Sequence, residues 1–232
     1  MCLLDYGMDI QKCINTLISH LPGERAILSP GSRNAPVIYA LHHSSKSCHS
    51  IVDERSAAFV ALGIAKATRE PVILSCTSGT AALNYYPAIA EAYYARVPLI
   101  ILTADRPPEQ IDAWDGQAIR QKGVYANHIR AEFQTPDVYD DTAAFRDLAA
   151  RVEKCLSTEI SGPIHINIPI REPFYEFTDE GLSSEAKMPQ AIAQQNISVA
   201  SIAAHYNEDF TLKKVLVFNG MECDENIVIG SD

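Results

Sequence analysis

Short apolar runs alternate along the chain with longer segments of helical spacing. The runs are rich in isoleucine, valine and leucine, as expected for strands that are buried on both faces of a parallel sheet. They lie at residues 25–29, 49–53, 72–77, 99–104 and 164–169. The helical segments contain few glycines or prolines and lie at residues 10–21, 55–69, 80–96 and 143–156. This order predicts an α/β fold in which helices flank an open parallel sheet.

The alternation weakens after residue 175, so we assign residues 1–175 to one domain. Residues 176–210 are largely polar and have no strong period, which predicts a linker. Residues 213–218 read Lys-Lys-Val-Leu-Val-Phe and are followed by Asn-Gly, which resembles the first strand and turn of another α/β unit. We therefore expect residues 211–232 to be the stub of a second domain and the chain to be a fragment of a longer protein.

The charge balance is acidic, with 29 Asp and Glu against 19 Lys and Arg and a formal net charge of −10. This charge opposes attraction to nucleic acid and to anionic membrane surfaces. No apolar run is long enough to span a bilayer, and the start carries Asp5 and Asp9 instead of the basic residues of an export signal. We therefore expect a cytoplasmic protein that binds neither nucleic acid nor membranes.

The six cysteines are scattered and form no Cys-x-x-Cys pair. This spacing favours buried, reduced thiols over a metal site or a set of disulfides. The cysteines are Cys2, Cys13, Cys48, Cys76, Cys155 and Cys223.

Polar and turn-forming residues follow four of the predicted strands. In open parallel sheets, ligands bind beyond the carboxyl ends of the strands, because helix N-termini and loops converge there. The clusters therefore predict one ligand-facing edge. The same residue types also cap helices without binding anything, and capping is the commoner role for a segment such as Thr77-Ser78-Gly79-Thr80. The clusters occupy residues 29–33, 53–56, 77–80 and 103–108.

Three charged residues within these clusters have two interpretations each. Glu54 lies in the first turn of a predicted helix, where it either stabilises the helix dipole or points across the sheet edge while Asp53 caps the helix. Arg33 and Arg106 each lie in a proline-containing turn, which can direct a guanidinium toward a carboxylate or phosphate. A solvated surface arginine is the alternative for either one. Two such arginines on one edge favour a site for small anions.

The segment 53–84 resembles the pyrimidine-binding domain of thiamine-diphosphate enzymes. Acetolactate synthases have the same pattern of motif residues. The similarity covers about residues 13–173 and implies the thiamine-diphosphate-binding α/β fold. The residues that carry it are Glu54, Gly63 nine residues later in an alanine-rich helix, Thr77-Ser78-Gly79 and Asn84.

The resemblance implies that Glu54 is a catalytic and cofactor-binding residue. In this family the glutamate hydrogen-bonds N1′ of the cofactor's pyrimidine ring. Proton sharing there favours the imino form at N4′, which removes the C2 proton of the thiazolium. Gly79 and Thr80 are implied to border the pyrimidine, and helix capping stays an equally open role for both.

Two further motifs, at residues 29–33 and 103–109, are similar to those of the 2-succinyl-5-enolpyruvyl-6-hydroxy-3-cyclohexene-1-carboxylate synthases, which are transferases of menaquinone biosynthesis. This resemblance implies decarboxylation of 2-oxoglutarate and conjugate addition of the succinyl carbanion to isochorismate. The positions that match isochorismate-binding residues are Ser32, Arg33, Arg106 and Gln117, and their implied role is to bind and orient this substrate.

One position departs from the family pattern. Many relatives carry asparagine directly before the glutamine, whereas this sequence has Gly116 before Gln117. The substitution puts one substrate-side hydrogen bond in doubt.

The Gly-Asp-Gly then Asn pattern that binds magnesium in this family does not occur in the 232 residues. Mg²⁺ is therefore implied to be held through oxygen ligands by a domain missing from this chain. In the family, the cofactor lies between the pyrimidine domain of one subunit and the diphosphate domain of another. This implies self-association as a dimer or tetramer, and little or no activity for the fragment alone. The alternatives are an acetolactate-synthase-like enzyme, another 2-oxo acid decarboxylase, and a free-standing non-catalytic module.

Overall fold

A six-stranded sheet, in which all neighbouring strands are parallel, forms the centre of the chain. The computed structural model describes residues 3–113, 116–136, 139–157 and 161–182. The strands are β1 (Arg25–Leu28), β2 (Ser47–Ser50), β3 (Val72–Cys76), β4 (Leu99–Asp105), β5 (Ala131–Gln134) and β6 (Ile164–Pro169). Their order in the sheet is β2-β1-β3-β4-β6-β5, which confirms the predicted open parallel α/β architecture.

In the described part of the chain, six α-helices cover the two faces of this sheet in two layers. One layer, which we name the closed layer, consists of α1 (Leu3–His20), α2 (Ala35–His42) and α6 (Thr142–Leu156). The open layer consists of α3 (Glu54–Thr68), α4 (Ala81–Asn84) and α5 (Tyr86–Tyr94). Within the described residues, no helix is long and apolar enough to cross a membrane.

Successive residues of the central strands face opposite layers, as the pleat of a strand requires. In β3, Ile73 packs in the core of the closed layer, whereas Val72 and Leu74 pack in the core of the open layer. All five residues of β3 are buried. This burial on both faces explains why the central strands read as continuous apolar runs in the sequence.

The first helix of the open layer packs close to the sheet through small side chains. Asp53 caps α3 by accepting a hydrogen bond from the Ser56 amide at 2.7 Å. The buried side of α3 contains Ala57, Ala61 and Ala65, each of which is fully buried. Alanine combines high helix propensity with a small volume, so α3 can lie close to β1 and β3.

The structure corrects three details of the predicted elements. The helix expected at residues 80–96 is two helices, α4 and α5, because Pro87 lacks an amide hydrogen and its ring blocks a continuous helix. The strand expected at 49–53 ends earlier, at Ser50, because Asp53 already caps α3. The helix α2, the edge strand β5 and two short 3-10 helices, Pro108–Gln110 and Ala126–His128, were not predicted.

The chain returns over the closed layer after β6, along residues 174–182, which we name the return segment. Asn15 of α1 is fully buried and donates hydrogen bonds to the carbonyl oxygens of Thr178 and Glu180 at 2.7 and 2.8 Å. The ring of Phe177 stacks on Tyr39 of α2 at 4.8 Å. The predicted linker starts within this segment; its later residues and the predicted stub at 211–232 lie outside the described residues.

Candidate functional site

The strand order brings the predicted ligand-facing loops together at one edge of the sheet. Because β1, β3 and β4 are adjacent, the loops after them leave the sheet side by side. Gly31 of the first loop lies against Thr77 of the second, and a Cβ atom on Gly31 would lie 2.5 Å from the Thr77 Cβ. Only a glycine permits this approach, so the loops after β1 and β3 are held in direct contact.

Glu54 begins α3 at this edge, and the helix cap is supplied by its neighbour. The carboxylate of Asp53 accepts from Ser56, and these hydrogen bonds lower the pKa of Asp53. The half-buried side chain of Glu54 instead accepts a long hydrogen bond, 3.4 Å, from the side-chain amide of Asn84. Asp53 is therefore the helix cap, and Glu54 lies in the first turn of α3 with its carboxylate next to Asn84.

The surface around Glu54 combines a carboxylate with uncovered apolar side chains. Val52, two residues before Glu54, is 78% exposed, and Leu83, next to Asn84, is 44% exposed. A flat aminopyrimidine has apolar faces and a polar edge. A carboxylate flanked by open apolar surface therefore fits such a ring.

Arg33 is buried and holds the loop after β1 against the chain beyond β6. Its Nη1 donates to the carbonyl oxygen of Ile170 at 2.6 Å, and its Nη2 donates to Glu172 at 3.1 Å. The guanidinium also lies 5.6 Å from the centre of the Phe174 ring. Ser32, beside it, is exposed. Arg33 is thus a fixed positive charge at the sheet edge, with Glu172 as a carboxylate partner.

Arg106 and Gln117 converge on the loop after β3. Arg106 donates from Nη1 to the Ser78 hydroxyl at 2.8 Å, and Gln117 donates from its side-chain amide to the Ser78 carbonyl oxygen at 3.0 Å. Gly79 has a φ of +88°, and a Cβ atom there would lie 2.3 Å from the Gln117 carbonyl oxygen. Gly116 also lies near this group, because its Cβ would be 3.3 Å from the Arg106 Nη2. Three of the predicted site residues, Gly79, Arg106 and Gln117, therefore share one contact region, and Thr80 follows directly as an exposed residue.

A buried polar network beneath this region was not predicted from the sequence. Thr103 contacts Nε2 of His165 at 2.7 Å and donates to Asn167 at 2.9 Å, and Asn167 donates to Asp105 at 2.7 Å. Nδ1 of His165 lies 3.1 Å from Glu132, and this hydrogen bond lowers the pKa of the Glu132 carboxyl. Burial raises the pKa of Asp105. The network could have been expected from the sequence, because His165 and Asn167 lie two residues apart within an otherwise apolar strand.

Gln121 links this network to the loop after β3. Its Oε1 accepts a hydrogen bond from the Gly79 amide at 2.6 Å. Its Nε2 donates to the Ala104 carbonyl oxygen at 2.9 Å and to Asn167 at 3.1 Å. A side chain that is 1% exposed thus connects three separate segments of the site.

Comparison with known protein families assigns the fold to a cofactor class. Residues 8–135 match the family described as thiamine pyrophosphate enzyme, N-terminal TPP binding domain, where thiamine pyrophosphate is another name for thiamine diphosphate. The chain belongs to this family. The matched span of this TPP binding domain includes Glu54, Gly79, Arg106 and Gln117.

Several curated relatives of this TPP binding domain are named 2-succinyl-5-enolpyruvyl-6-hydroxy-3-cyclohexene-1-carboxylate synthase. The relative from Flavobacterium psychrophilum is 41% identical over 203 residues, which is 87% of this chain and 36% of the relative. The relative from Desulfotalea psychrophila is 51% identical over 168 residues, 70% of this chain and 30% of the relative. The relative from Flavobacterium johnsoniae is 47% identical over 165 residues, 70% of this chain and 29% of the relative. The chain thus spans about a third of the length of these relatives.

Proposed function

We propose that this chain is the pyrimidine-binding part of a synthase that decarboxylates 2-oxoglutarate and adds the succinyl unit to isochorismate in menaquinone biosynthesis. The names of the relatives support this assignment. The structural observation that carries it is Glu54, which begins α3 at the carboxyl edge of a parallel sheet while the adjacent Asp53 supplies the helix cap.

Glu54 would hold the pyrimidine ring of thiamine diphosphate through N1′. The bound cofactor supplies the carbon nucleophile for the reaction. Glu54 can share a proton with N1′, and the neighbouring Asn84 amide restrains the carboxylate through its hydrogen bond. Gly79 and Thr80 would border the ring. The Mg²⁺ ion would be held by residues outside this chain.

The substrate-binding residues would be Ser32, Arg33, Arg106 and Gln117. Both proposed substrates carry more than one carboxylate, and a guanidinium can bind a carboxylate in a bidentate geometry. Arg106 is half-buried and braced by Ser78, so its charge is oriented before the substrate arrives. The buried Arg33 adds a second fixed charge on the same edge. Orientation of this kind lowers the entropic part of the barrier.

The open layer supports self-association as a dimer or tetramer. On α3, Phe59 is 43% exposed, Val60 is 41% exposed, and a Cβ atom on the adjacent Gly63 would contact nothing within 4 Å. Apolar side chains clustered on one outward face mark contact surfaces more often than isolated ones do. We propose that a second subunit covers this face and completes the cofactor site beside Glu54.

The assay that tests the function uses the full-length protein with thiamine diphosphate, Mg²⁺, 2-oxoglutarate and isochorismate. The expected result is release of carbon dioxide together with formation of the adduct. If the enzyme turns over a different 2-oxo acid and forms no adduct, the assignment moves to an acetolactate-synthase-like enzyme or another decarboxylase. If no 2-oxo acid reacts, the enzymatic proposal fails.

The role of Glu54 is tested by comparing Glu54→Gln with Asp53→Asn in the full-length protein. Both variants replace one carboxylate by an amide at adjacent positions, and asparagine remains a good helix cap. We expect Glu54→Gln to slow exchange of the cofactor C2 proton by about a hundredfold or more, because the proton-sharing carboxylate is lost. Asp53→Asn should leave the exchange rate close to that of wild type. Equal exchange rates in all three proteins would refute the assigned role.

A further inference from the structure

The position of Gly79 within the site depends on one buried side chain. Gln121 can accept hydrogen bonds at its oxygen and donate two from its nitrogen. It accepts from Gly79 and donates to Ala104 and Asn167, so both amide hydrogens are used. Buried and bonded in three directions, the side chain cannot rotate without leaving at least one polar group unpaired, which is unfavourable in a buried setting.

The segments that Gln121 joins are those that carry the predicted ligand-binding residues. Gly79 belongs to the loop after β3, whereas Ala104 lies one residue before Asp105 at the end of β4. Asp105 in turn accepts from the backbone amide of Arg106 at 2.8 Å and from Asn167 at 2.7 Å. The loop that carries Arg106 and the loop that carries Gly79 are therefore both anchored to the pair formed by Gln121 and Asn167.

Gly79 transmits any displacement directly to Gln117. The missing side chain of Gly79 leaves no gap, since a Cβ atom would lie 2.3 Å from the Gln117 carbonyl oxygen and 2.8 Å from its Cγ. Gln117 also donates to the Ser78 carbonyl oxygen, which belongs to the peptide bond of Gly79. Loss of the anchor at Gln121 would consequently shift Gly79, Ser78 and Gln117 together.

We propose that Gln121 is a positioning residue that fixes the distance between the cofactor side of the site, at Gly79 and Thr80, and the substrate side, at Arg106 and Gln117. The inference rests on the proposed function. Gln121 itself is 1% exposed and bonded to protein atoms, so it acts through these neighbours. A misplacement of about 1 Å in reacting groups can cost on the order of a hundredfold in rate.

The test compares Gln121→Met with Gln11→Met in the full-length protein. Gln11 lies in the closed layer, is equally buried at 1% exposure, and donates to Asn15 at 2.8 Å and to the Pro36 carbonyl oxygen at 3.0 Å. It is therefore a matched control for the loss of a buried, hydrogen-bonded glutamine away from the site. A purely structural role predicts the same behaviour for both variants.

Two measurements distinguish the variants. Hydrogen exchange followed by mass spectrometry should show faster exchange of the peptide that contains Gly79 in Gln121→Met but not in Gln11→Met. Steady-state kinetics should show a rise in KM for isochorismate on the order of tenfold to a hundredfold in Gln121→Met only. Unchanged exchange at Gly79, or a KM equal to that of Gln11→Met, would overturn the positioning role.

A second variant covers the case in which Gln121→Met fails to fold. Gln121→Glu retains an acceptor for the Gly79 amide but has no donor for Ala104 and Asn167, and it places a carboxylate beside two acceptor oxygens. The same direction of change in KM is expected, and a wild-type KM would overturn the proposal. If the wild-type enzyme turns over neither substrate, the proposed function itself is refuted. If the wild type is active and the Gln121 variants have the same KM for isochorismate, only the positioning role of Gln121 is refuted.

Discussion

The two helical layers of this domain differ in how their outward sides are covered. In the closed layer, the outward side of α1 is covered by the chain itself, because the return segment bonds to Asn15 and stacks on Tyr39. In the open layer, the outward side of α3 presents Phe59 and Val60 without such a cover among the described residues. We proposed above that a second subunit covers the open layer, and the comparison of the two layers can be tested by substitutions on each.

The largest expected effect comes from substituting the two matched phenylalanines of these layers. Phe59 on the open layer is 43% exposed and Phe177 on the closed layer is 42% exposed. Covering the exposed part of Phe59 contributes about 1 kcal/mol per copy, and the buried carboxylate of Phe59→Asp costs about as much again. With two copies in a symmetric dimer, Phe59→Asp should weaken association by about 4 kcal/mol, on the order of a thousandfold. Sedimentation velocity of the full-length protein measures this change.

The control in this experiment is Phe177→Asp, which removes an aromatic ring of the same exposure from the closed layer. We expect it to loosen the return segment from Tyr39 and to leave the assembly state unchanged. If Phe177→Asp dissociates the protein and Phe59→Asp does not, the assignment of the two layers is reversed.

A smaller effect is expected from Lys46, a half-buried cation directly before β2. Its ammonium donates to the carbonyl oxygens of Leu21 and Gly23, both at 2.8 Å, and burial lowers its pKa from 10.5 to about 8. Below about pH 8 the lysine is protonated in both states, and the folded state bears the cost of the buried charge. Between about pH 8 and 10.5 only the unfolded chain holds the proton, so stability rises with pH by at most about 3 kcal/mol.

Thermal unfolding of wild type and Lys46→Met, measured from about neutral pH to pH 10.5, tests this contribution. Burial raises the pKa of Cys13 to about 12 and that of Cys48 to about 11, so these thiols oppose the trend. The charge of Lys46 lowers the pKa of Cys48, so Cys48 opposes the trend more strongly in Lys46→Met, which adds to the expected difference between the proteins. The stability of wild type relative to the variant should increase across the range. A constant difference would show that Lys46 keeps its ordinary pKa in the folded protein.

The central part of the fold could be predicted from the sequence, because strands that are buried on both faces consist of continuous apolar runs. β3 and β4 consist entirely of buried residues, and their apolar runs located them to within a residue or two. The edge strands leave a weaker trace. β2 reads Ser-Cys-His-Ser and contains no fully buried residue, and β5 contains one, Phe133. No helix was predicted at α2, which has only eight residues and a proline in its first turn.

From residue types alone, the site could be predicted only as far as polar residues follow the strands, whereas Gln117 and the role of Glu54 came from the family resemblance. Strand order then brought Gly79, Arg106 and Gln117 together, as expected for one edge of a parallel sheet. The role of Glu54 depended on whether Asp53 or Glu54 caps the helix. The sequence is compatible with a cap at either of these adjacent carboxylates. Gln121 was missed because its partner Gly79 is 42 residues away, so no local pattern marks the contact.

The smallest expected effect concerns Gly63, in the middle of α3. A Cβ atom there would meet nothing within 4 Å in the chain, so Gly63→Ala should stabilise the helix by up to about 1 kcal/mol. In the assembly, the added methyl group lies on the same outward face as Phe59 and Val60, where we propose that a second subunit packs. The two contributions therefore have opposite signs.

Introducing Gly63→Ala into both wild type and Phe59→Asp separates these contributions. In the dissociated Phe59→Asp background, the unfolding temperature should rise by about 2 to 4 °C, because only the helix gains. In the wild-type background, the association constant should fall, since the methyl group keeps the partner from close approach to the α3 backbone. An unchanged association constant would mean that the partner does not approach at Gly63. The close contact would then have to lie elsewhere on the open layer, for example at the exposed Leu83 of α4.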